Sequence, residues 1–406
     1  MAQDIVFRGI AAPLRLDGAE AVRLLLPVVA AGWPHEFREA DPAAVPFFSI
    51  RSDAGESLLL CQSHVEATPA RRHDPVNALC DMIAALALAL PAEDPSLICL
   101  HAAGVAMAGR LVVFPSVRRA GKSTLSVALA RAGHALYGDD VLPLCFAADN
   151  RAFGYSMGIA PRLRLPLPAS IERGFRDWVD ALDGPRNRQY KYLTLKGQPA
   201  QGAALPVGAF VILDRHEVPV PARLCPVTPD VAMDALLHQN FTRDRHSADI
   251  LQAMAASLSN LPVFRLSFSA LSDAVACLET AFSRWPDIGA PDAPAPALPF
   301  RKAGIGQGVR RARAPDALLG QRQGTVERTI GGSLYLADVE GWAIHRMDPI
   351  AAAIWGVLDV PVTRPELETL LVDTFPEVGH DRIAADLGRL LDHFAHAGLI
   401  EAKAGG

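Results

Sequence analysis

The chain has 406 residues, of which 50% are hydrophobic and 20% charged, with a formal net charge of −5. That length accommodates two or three domains, each with its own core, and that composition excludes a disordered chain. The acidic balance argues against broad electrostatic capture of nucleic acid, so no nucleic-acid partner is expected.

Six cysteines (Cys61, Cys80, Cys99, Cys145, Cys225 and Cys277) are scattered without a Cys-x-x-Cys or a Cys/His cluster. They read as buried thiols rather than as a disulfide framework or a zinc site. The start, MAQDIVFRGI, lacks a basic region followed by an apolar core, so no signal peptide is read there. The longest apolar runs, Val22–Trp33 (broken by Pro27) and Met82–Leu90, fall short of the roughly 20 residues that span a bilayer. A cytoplasmic protein with no membrane partner is the expectation, with self-association left open.

In chain order, residues 1–73 read as a small α/β region. Ala19–Leu26 is apolar at helical spacing, and Phe47–Ile50 and Ser57–Cys61 read as strands around Asp53-Ala54-Gly55. Asp74-Pro75 then offers an N-cap acceptor followed by proline at the first helical position. The helix it starts runs to about Leu90 and is apolar nearly all round, which predicts burial against a sheet. Leu97–Leu100 is a strand leading into His101. A histidine at a strand end is most often structural, but this one stands just before the hairpin into the next motif.

That motif organises the chain. Leu111–Phe114 is a short apolar strand. Gly121-Lys122-Ser123-Thr124 opens a helix with Leu125, Ala128 and Leu129 on its apolar side, and Gly133 stops it. Ala135–Tyr137 resumes a strand that ends at Gly138-Asp139-Asp140. This strand–loop–helix–strand unit has the length of a right-handed parallel crossover, which puts the loop and the two aspartates on one sheet edge. The pattern G-x-x-x-x-G-K-[ST] is incomplete, because Ser116 occupies its first glycine position. The chemistry still parses as a phosphate loop for ATP and Mg²⁺. Contacts are expected from Ser116, Arg118, Arg119, Ala120, Gly121, Lys122, Ser123 and Thr124. Lys122 would reach the β- and γ-phosphates and the Ser123 hydroxyl would hold Mg²⁺. One aspartate of the pair can bind the metal while the other takes a proton from a hydroxyl nucleophile. A chance A-G-K-S-T at a helix start is the competing reading.

The run His101–Asp140 resembles the catalytic core of the HPr kinase/phosphorylase superfamily, whose fold is related to ATP-dependent phosphoenolpyruvate carboxykinase. That family has a histidine upstream of a G-x-x-x-x-G-K-S loop, then R-G-H-x-L-x-A-D-D. Here the matching residues are His101, Gly121-Lys122-Ser123, Arg131-Ala132-Gly133-His134-Ala135-Leu136 and Gly138-Asp139-Asp140, with no gap between His101 and Asp140. The resemblance implies Lys122 on phosphate, Ser123 on Mg²⁺ and Asp140 as the base, with His101 and Asp139 beside them; Asp139 is the aspartate expected at the metal. Arg162, Arg164, Glu172 and Arg173 are the nearest in order to the family's later glutamate and arginine, and none is assigned. The family's HPr-recognition signature is not evident around Pro226–Asn240.

Ala160–Leu167 alternates like a strand, and Asp183–Lys196 is polar and basic with Tyr190 and Tyr192 interleaved. The latter reads as a solvated loop and strand edge, with gating of a nucleotide or contact with a peptide as the alternative. Ala209–Leu213 and Val263–Leu266 read as strands, and Asp230–Leu237, Asp249–Leu258 and Leu271–Phe282 as helices. A kinase domain is therefore expected over 74–284. Residues 285–323 form a proline- and alanine-rich, then basic, linker.

From Gly324 on, Thr325–Ile330, Leu334–Ala337 and Trp342–His345 read as a three-stranded meander, with turns at Gly331-Gly332 and Glu340-Gly341. Three helices follow, the second opening on the capping box Thr363-Arg364-Pro365-Glu366. This winged-helix-like unit carries no catalytic constellation. Dimerisation or DNA binding is one reading, although the last helix lacks a basic face. Leu334–Asp338, Gly341–Ile344, Ala353–Trp355 and the closing Leu387 to Ile400 are similar to PqqD-like domains of ribosomal peptide biosynthesis. That resemblance implies binding of a precursor's leader peptide as an added strand. Trp342, Ala343, Ile344, His345 and Arg346 would form the pairing edge, and Ile383 and Leu387 would line pockets.

Together the expected architecture is an α/β phosphate-loop kinase core with a small N-terminal α/β region and a C-terminal winged-helix-like domain. The function expected is phosphorylation of a Ser or Thr hydroxyl on a ribosomally made precursor peptide. A non-catalytic nucleotide-binding scaffold that delivers peptide to another enzyme, and a small-molecule kinase, are the alternatives.

Overall fold

The computed structural model describes residues 2–52, 57–66, 68–117, 120–242, 244–286, 295–304 and 317–403. Arg118 and Arg119, expected in the phosphate loop, lie outside the described residues, as does much of the expected linker. The chain divides into two compact units, Met1–Thr242 with Asn260–Pro299, and Arg243–Ser259 with Phe300–Gly406.

The first unit opens with a six-stranded sheet ordered His35–Glu39, Ala2–Phe7, Leu14–Asp17, Phe48–Ser52, Leu59–Ser63, Arg71–His73. Only Leu14–Asp17 and Phe48–Ser52 pair in parallel, and the helix Glu20–Val29 lies on the connection between them. The helix Pro75–Glu93 begins where expected: Asp74 Oδ1 accepts the N–H of Val76 at 2.9 Å and of Asn77 at 3.2 Å. It runs past Leu90, so it is longer than its apolar run suggested. By length and composition it could cross a bilayer, with a mean hydropathy of 1.6, yet 61% of that window is buried inside the fold. Its buried residues, Leu79, Met82 and Leu86 among them, join Ile5, Phe7, Leu14 and Trp33 in one core.

The second sheet of this unit has nine strands. Seven run in the order Leu136–Gly138, Ala103–Met107, Arg110–Phe114, Ala204–Arg215, Ala152–Tyr155, Leu142–Phe146, Leu97–Leu100. Val263–Phe268 pairs with Ala204–Arg215, and Arg223–Pro226 pairs with Val263–Phe268. The helices Lys122–Arg131 and Leu271–Ala281 bury Leu125, Leu129, Ala274 and Leu278 in a second core beneath this sheet.

In the second unit, Val326–Ile330, Ser333–Ala337 and Ile344–Arg346 form an antiparallel meander. Gly331 and Gly332 have φ of 57° and 87°, the two positive values that a two-residue hairpin turn requires. The expected third strand is shorter at its start. Trp342 and Ala343 lie in the turn before it, because the Asp338 carboxylate accepts the N–H groups of Gly341, Trp342 and Ala343 at 2.6, 3.0 and 2.6 Å. The helices Pro349–Val357, Arg364–Thr374 and His380–His396 follow, the second with its capping box formed.

Two features of this unit had no signal in the sequence. Leu319–Gln321 pairs with Ile400–Ala402. The helix Ser247–Leu258, which precedes the strand Val263–Phe268 in the chain, packs against all three meander strands. Its entry is tied down by Ser247 N–H donating to Gly341 O at 2.8 Å. A Cβ on Gly341 would lie 2.5 Å from the His246 ring, so that close approach requires glycine.

Candidate functional site

Strand direction brings the site together. Arg110–Phe114 and Val263–Phe268 both pair in parallel with Ala204–Arg215. Leu136–Gly138 runs the same way, being antiparallel to Ala103–Met107, which is itself antiparallel to Arg110–Phe114. The carboxyl ends of these four strands therefore share one edge, where open α/β sheets bind ligands. The loop at 115–121, the pair Asp139-Asp140, and Arg215 all follow or end those strands.

Gly121 sits at φ 94° as the N-cap of the helix Lys122–Arg131, with no side chain capping that helix. Glycine adopts this left-handed conformation without a Cβ penalty, and the first turn beyond it leaves N–H groups with no intrahelical acceptor. Lys122 is buried, and its Nζ donates back across the loop to the carbonyls of Ser116 at 2.6 Å and Val117 at 3.3 Å. Ser116 departs from expectation. Its Oγ accepts the Leu213 N–H at 2.9 Å, tying the loop to the neighbouring strand instead of facing a ligand. Its φ is not positive, so serine here replaces no strained glycine. Ala120, Ser123 and Thr124 are half-buried at the loop's end.

The two aspartates have opposite electrostatics. Asp139 is buried, its Oδ2 accepts the Arg162 backbone N–H at 3.0 Å, and the nearby Ser123 hydroxyl favours its charged form. Burial first, then the charge of Asp140, push its pKa up to about 7. Asp140 is bracketed by two partners, with His101 Nε2 2.7 Å from Oδ1 and an Arg162 guanidinium nitrogen 2.7 Å from Oδ2. Burial raises its pKa, but the His101 hydrogen bond and the charges of Arg162, His101 and Lys122 outweigh that and hold it low. Adjacent carboxylates resist joint ionisation, and these partners decide which one carries the charge.

His101 reaches Asp140 through strand register: Leu100 pairs with Leu142, two residues past Asp140. Its backbone N–H donates to Gln239 O at 2.8 Å, and its ring stacks on Phe241 with centroids 5.7 Å apart. Arg162, on the strand Arg162–Arg164, lies over the Tyr190 ring at 4.5 Å. Tyr192 is buried and donates to Cys80 Sγ at 3.4 Å. The stretch Asp183–Lys196 is therefore not a solvated edge throughout, because Lys191 and Tyr192 are both buried. Asp139, Asp140, Arg162, Tyr137, Met157 and Tyr192 line an open recess of about 390 Å³. Sequence reasoning named Arg162 only by order, and Tyr192 only as one of two tyrosines in a stretch read mainly as a solvated edge. Strand alternation was the sole signal for the first, and nothing local marked the second.

In the second unit, Ile344–Arg346 is an edge strand, paired among the described residues only with Ser333–Ala337. The His345 ring meets the His393 ring edge-on at 5.5 Å, which sets the strand beside the helix His380–His396. His345 Nε2 is buried without a hydrogen-bond partner, and burial, followed by His393, lowers its pKa. Trp342 is 54% exposed at the turn leading into the strand. Ile383 and Leu387 point inward, and Leu387 belongs to the core with Trp355 and Phe394.

Comparison with known proteins addresses the carboxy-terminal end most directly. Residues 334–400 match the family model for coenzyme PQQ synthesis protein D (PqqD). No curated protein matches the sequence. The structure of the Hpr(Ser) kinase/phosphatase from Coxiella burnetii aligns over 45% of this chain and 95% of its own, at 15% identity and a TM-score of 0.22. The segment matched by the PqqD model lies in the second unit, after the His101–Asp140 run in the chain.

Proposed function

We propose that the chain is an ATP-dependent kinase that phosphorylates a Ser or Thr hydroxyl of a ribosomally synthesised precursor peptide. The leader of that peptide would bind the second unit. The observation that carries this reading is the arrival of the glycine-capped helix start and the aspartate pair at one edge of the sheet, through the shared direction of the strands that precede them. A hydroxyl beside a buried carboxylate is an all-oxygen donor set of the kind Mg²⁺ takes, and the uncapped helix start with Lys122 suits phosphate oxygens. Mg²⁺, when bound, supplies charge neutralisation at the phosphates.

Asp140 acts on the acceptor. It orients the incoming hydroxyl and takes its proton as the oxygen bonds to the γ-phosphorus and the bond to ADP breaks. A strongly basic group is not required, since phosphoryl transfer depends mainly on positioning and electrostatics. His101 and Arg162 hold the carboxylate in place. The PqqD match supports a peptide partner, with the edge strand Ile344–Arg346 available for strand addition and Trp342 exposed at the turn before it.

Incubating the full chain with Mg-ATP and its cognate precursor should add the mass of one phosphate, and Asp140→Asn should abolish that gain while retaining nucleotide binding. Absence of the gain, or its survival in Asp140→Asn, would overturn the proposal. The contacts of Lys122 with loop carbonyls favour one other reading, a nucleotide-binding scaffold. Tight Mg-ATP binding without turnover of any peptide would support it.

A further inference from the structure

A second, shallow recess opens to solvent beside the same helix start. Gly121, Thr124, Ser170, Glu172, Arg215 and Phe268 contribute to its lining. It is built from the carboxyl ends of the parallel strands Ala204–Arg215 and Val263–Phe268 and from the starts of the helices Lys122–Arg131 and Leu271–Ala281. Consecutive helical residues project about 100° apart, so Ser123 addresses the aspartates while Thr124 lines this other recess.

Its charges differ from those of the acidic recess. Glu172 is already engaged, since its Oε1 accepts the N–H groups of Leu271 at 2.9 Å and Ser272 at 3.0 Å. Hydrogen bonds to that helix start, working against burial, lower its pKa. The Arg215 guanidinium donates to Ser170 Oγ at 3.0 Å, and among the described residues no carboxylate pairs with it. The Arg215 side chain passes 3.7 Å from the position of a Gly121 Cβ. A cation with a hydroxyl for its neighbour thus stands against the phosphate loop, on the flank away from Asp139 and Asp140.

We propose that this recess seats the nucleoside end of the nucleotide, with Arg215 as a second phosphate-binding cation. The inference rests on the nucleotide reading above and gives it a direction. The transferable end lies toward Asp139 and Asp140, where the acceptor enters, and the sugar and base leave past Thr124 and Arg215. Two carboxylates disfavour a polyphosphate chain running the other way, whereas Arg215 attracts one.

Calorimetric titration of the full chain with Mg-ATP and with Mg-tripolyphosphate tests this, because the second ligand has the phosphates without the nucleoside. Mg-ATP should bind at least about tenfold more tightly. Ser170 is an exposed loop residue, so Ser170→Trp should fill the recess, leave the melting temperature unchanged and reduce Mg-ATP affinity to that of tripolyphosphate. Arg215→Gln should weaken both ligands by about tenfold or more, the usual scale for a lost charge-assisted contact. Equal wild-type affinity for the two ligands, or an undiminished ATP preference in Ser170→Trp, would overturn the inference and leave the phosphate loop standing. Failure of the wild type to bind either ligand would remove the nucleotide reading itself.

Discussion

At the scale of single residues, the two adjacent carboxylates of the site titrate in different pH ranges. With its pKa raised to about 7, Asp139 holds a proton below that pH and must release it before a divalent cation can take its oxygen. Asp140, held low by its hydrogen bond to His101 and by nearby cations, is already ionised and adds no slope. Cation affinity should therefore rise with pH, by roughly fivefold between pH 6 and 7 and roughly tenfold between pH 6 and 8, and level off above that. Mn²⁺ binding followed by electron paramagnetic resonance from pH 6 to 8 checks this, and a flat profile would contradict it. Gly121 makes a backbone prediction. Alanine at its φ of 94° should cost about 1–2 kcal/mol, read as a lower melting temperature of the first unit. The loop, the glycine and both aspartates were legible because they lie in one contiguous run. Arg162, Tyr192 and Arg215 were not, because separate strands deliver them and only pairing register says where they arrive.

At the scale of elements, locally encoded features were the readable ones. The start of the helix Pro75–Glu93 was legible from Asp74-Pro75, the Gly331-Gly332 turn from its two glycines, and the helix Arg364–Thr374 from its capping box. What each element packs against was harder to read, because amphipathicity reports that a face is buried without naming its neighbour. Asp74 illustrates how a local signal acquires a distant role. Both its carboxylate oxygens accept from Asn187 Nδ2, at 2.9 and 3.0 Å, and Asn187 leads into the strand Tyr190–Tyr192. Asp74→Ala should cost about 1–2 kcal/mol from the lost cap. It should also raise amide exchange around Tyr190–Tyr192, whereas exchange confined to the helix start would show that the Asn187 contact is idle.

At the scale of the whole molecule, the chain passes between the two units three times, at 242/243, 259/260 and 299/300. The second unit is thus not a simple carboxy-terminal appendage. Leu336 faces the core made with the three helices, so strand alternation turns Tyr335 and Ala337 to the opposite face. Both are fully buried there, and the helix Ser247–Leu258 packs on the same strands. A Gly324–Gly406 fragment should be less stable than the same unit with that helix by about 3 kcal/mol or more, the equivalent of uncovering two core side chains. Denaturant melts and dye binding to exposed apolar surface would measure the difference, and equal stability would count against the helix's structural role.

The inserted helix also imposes an order on biosynthesis. It leaves the ribosome well before the strands it must cover, and at about 5–20 residues per second its apolar side, with Ile250, Leu251, Met254 and Leu258, waits for seconds without its sheet. Premature termination within 260–320 would release a nascent chain with that side uncovered, a substrate for chaperones.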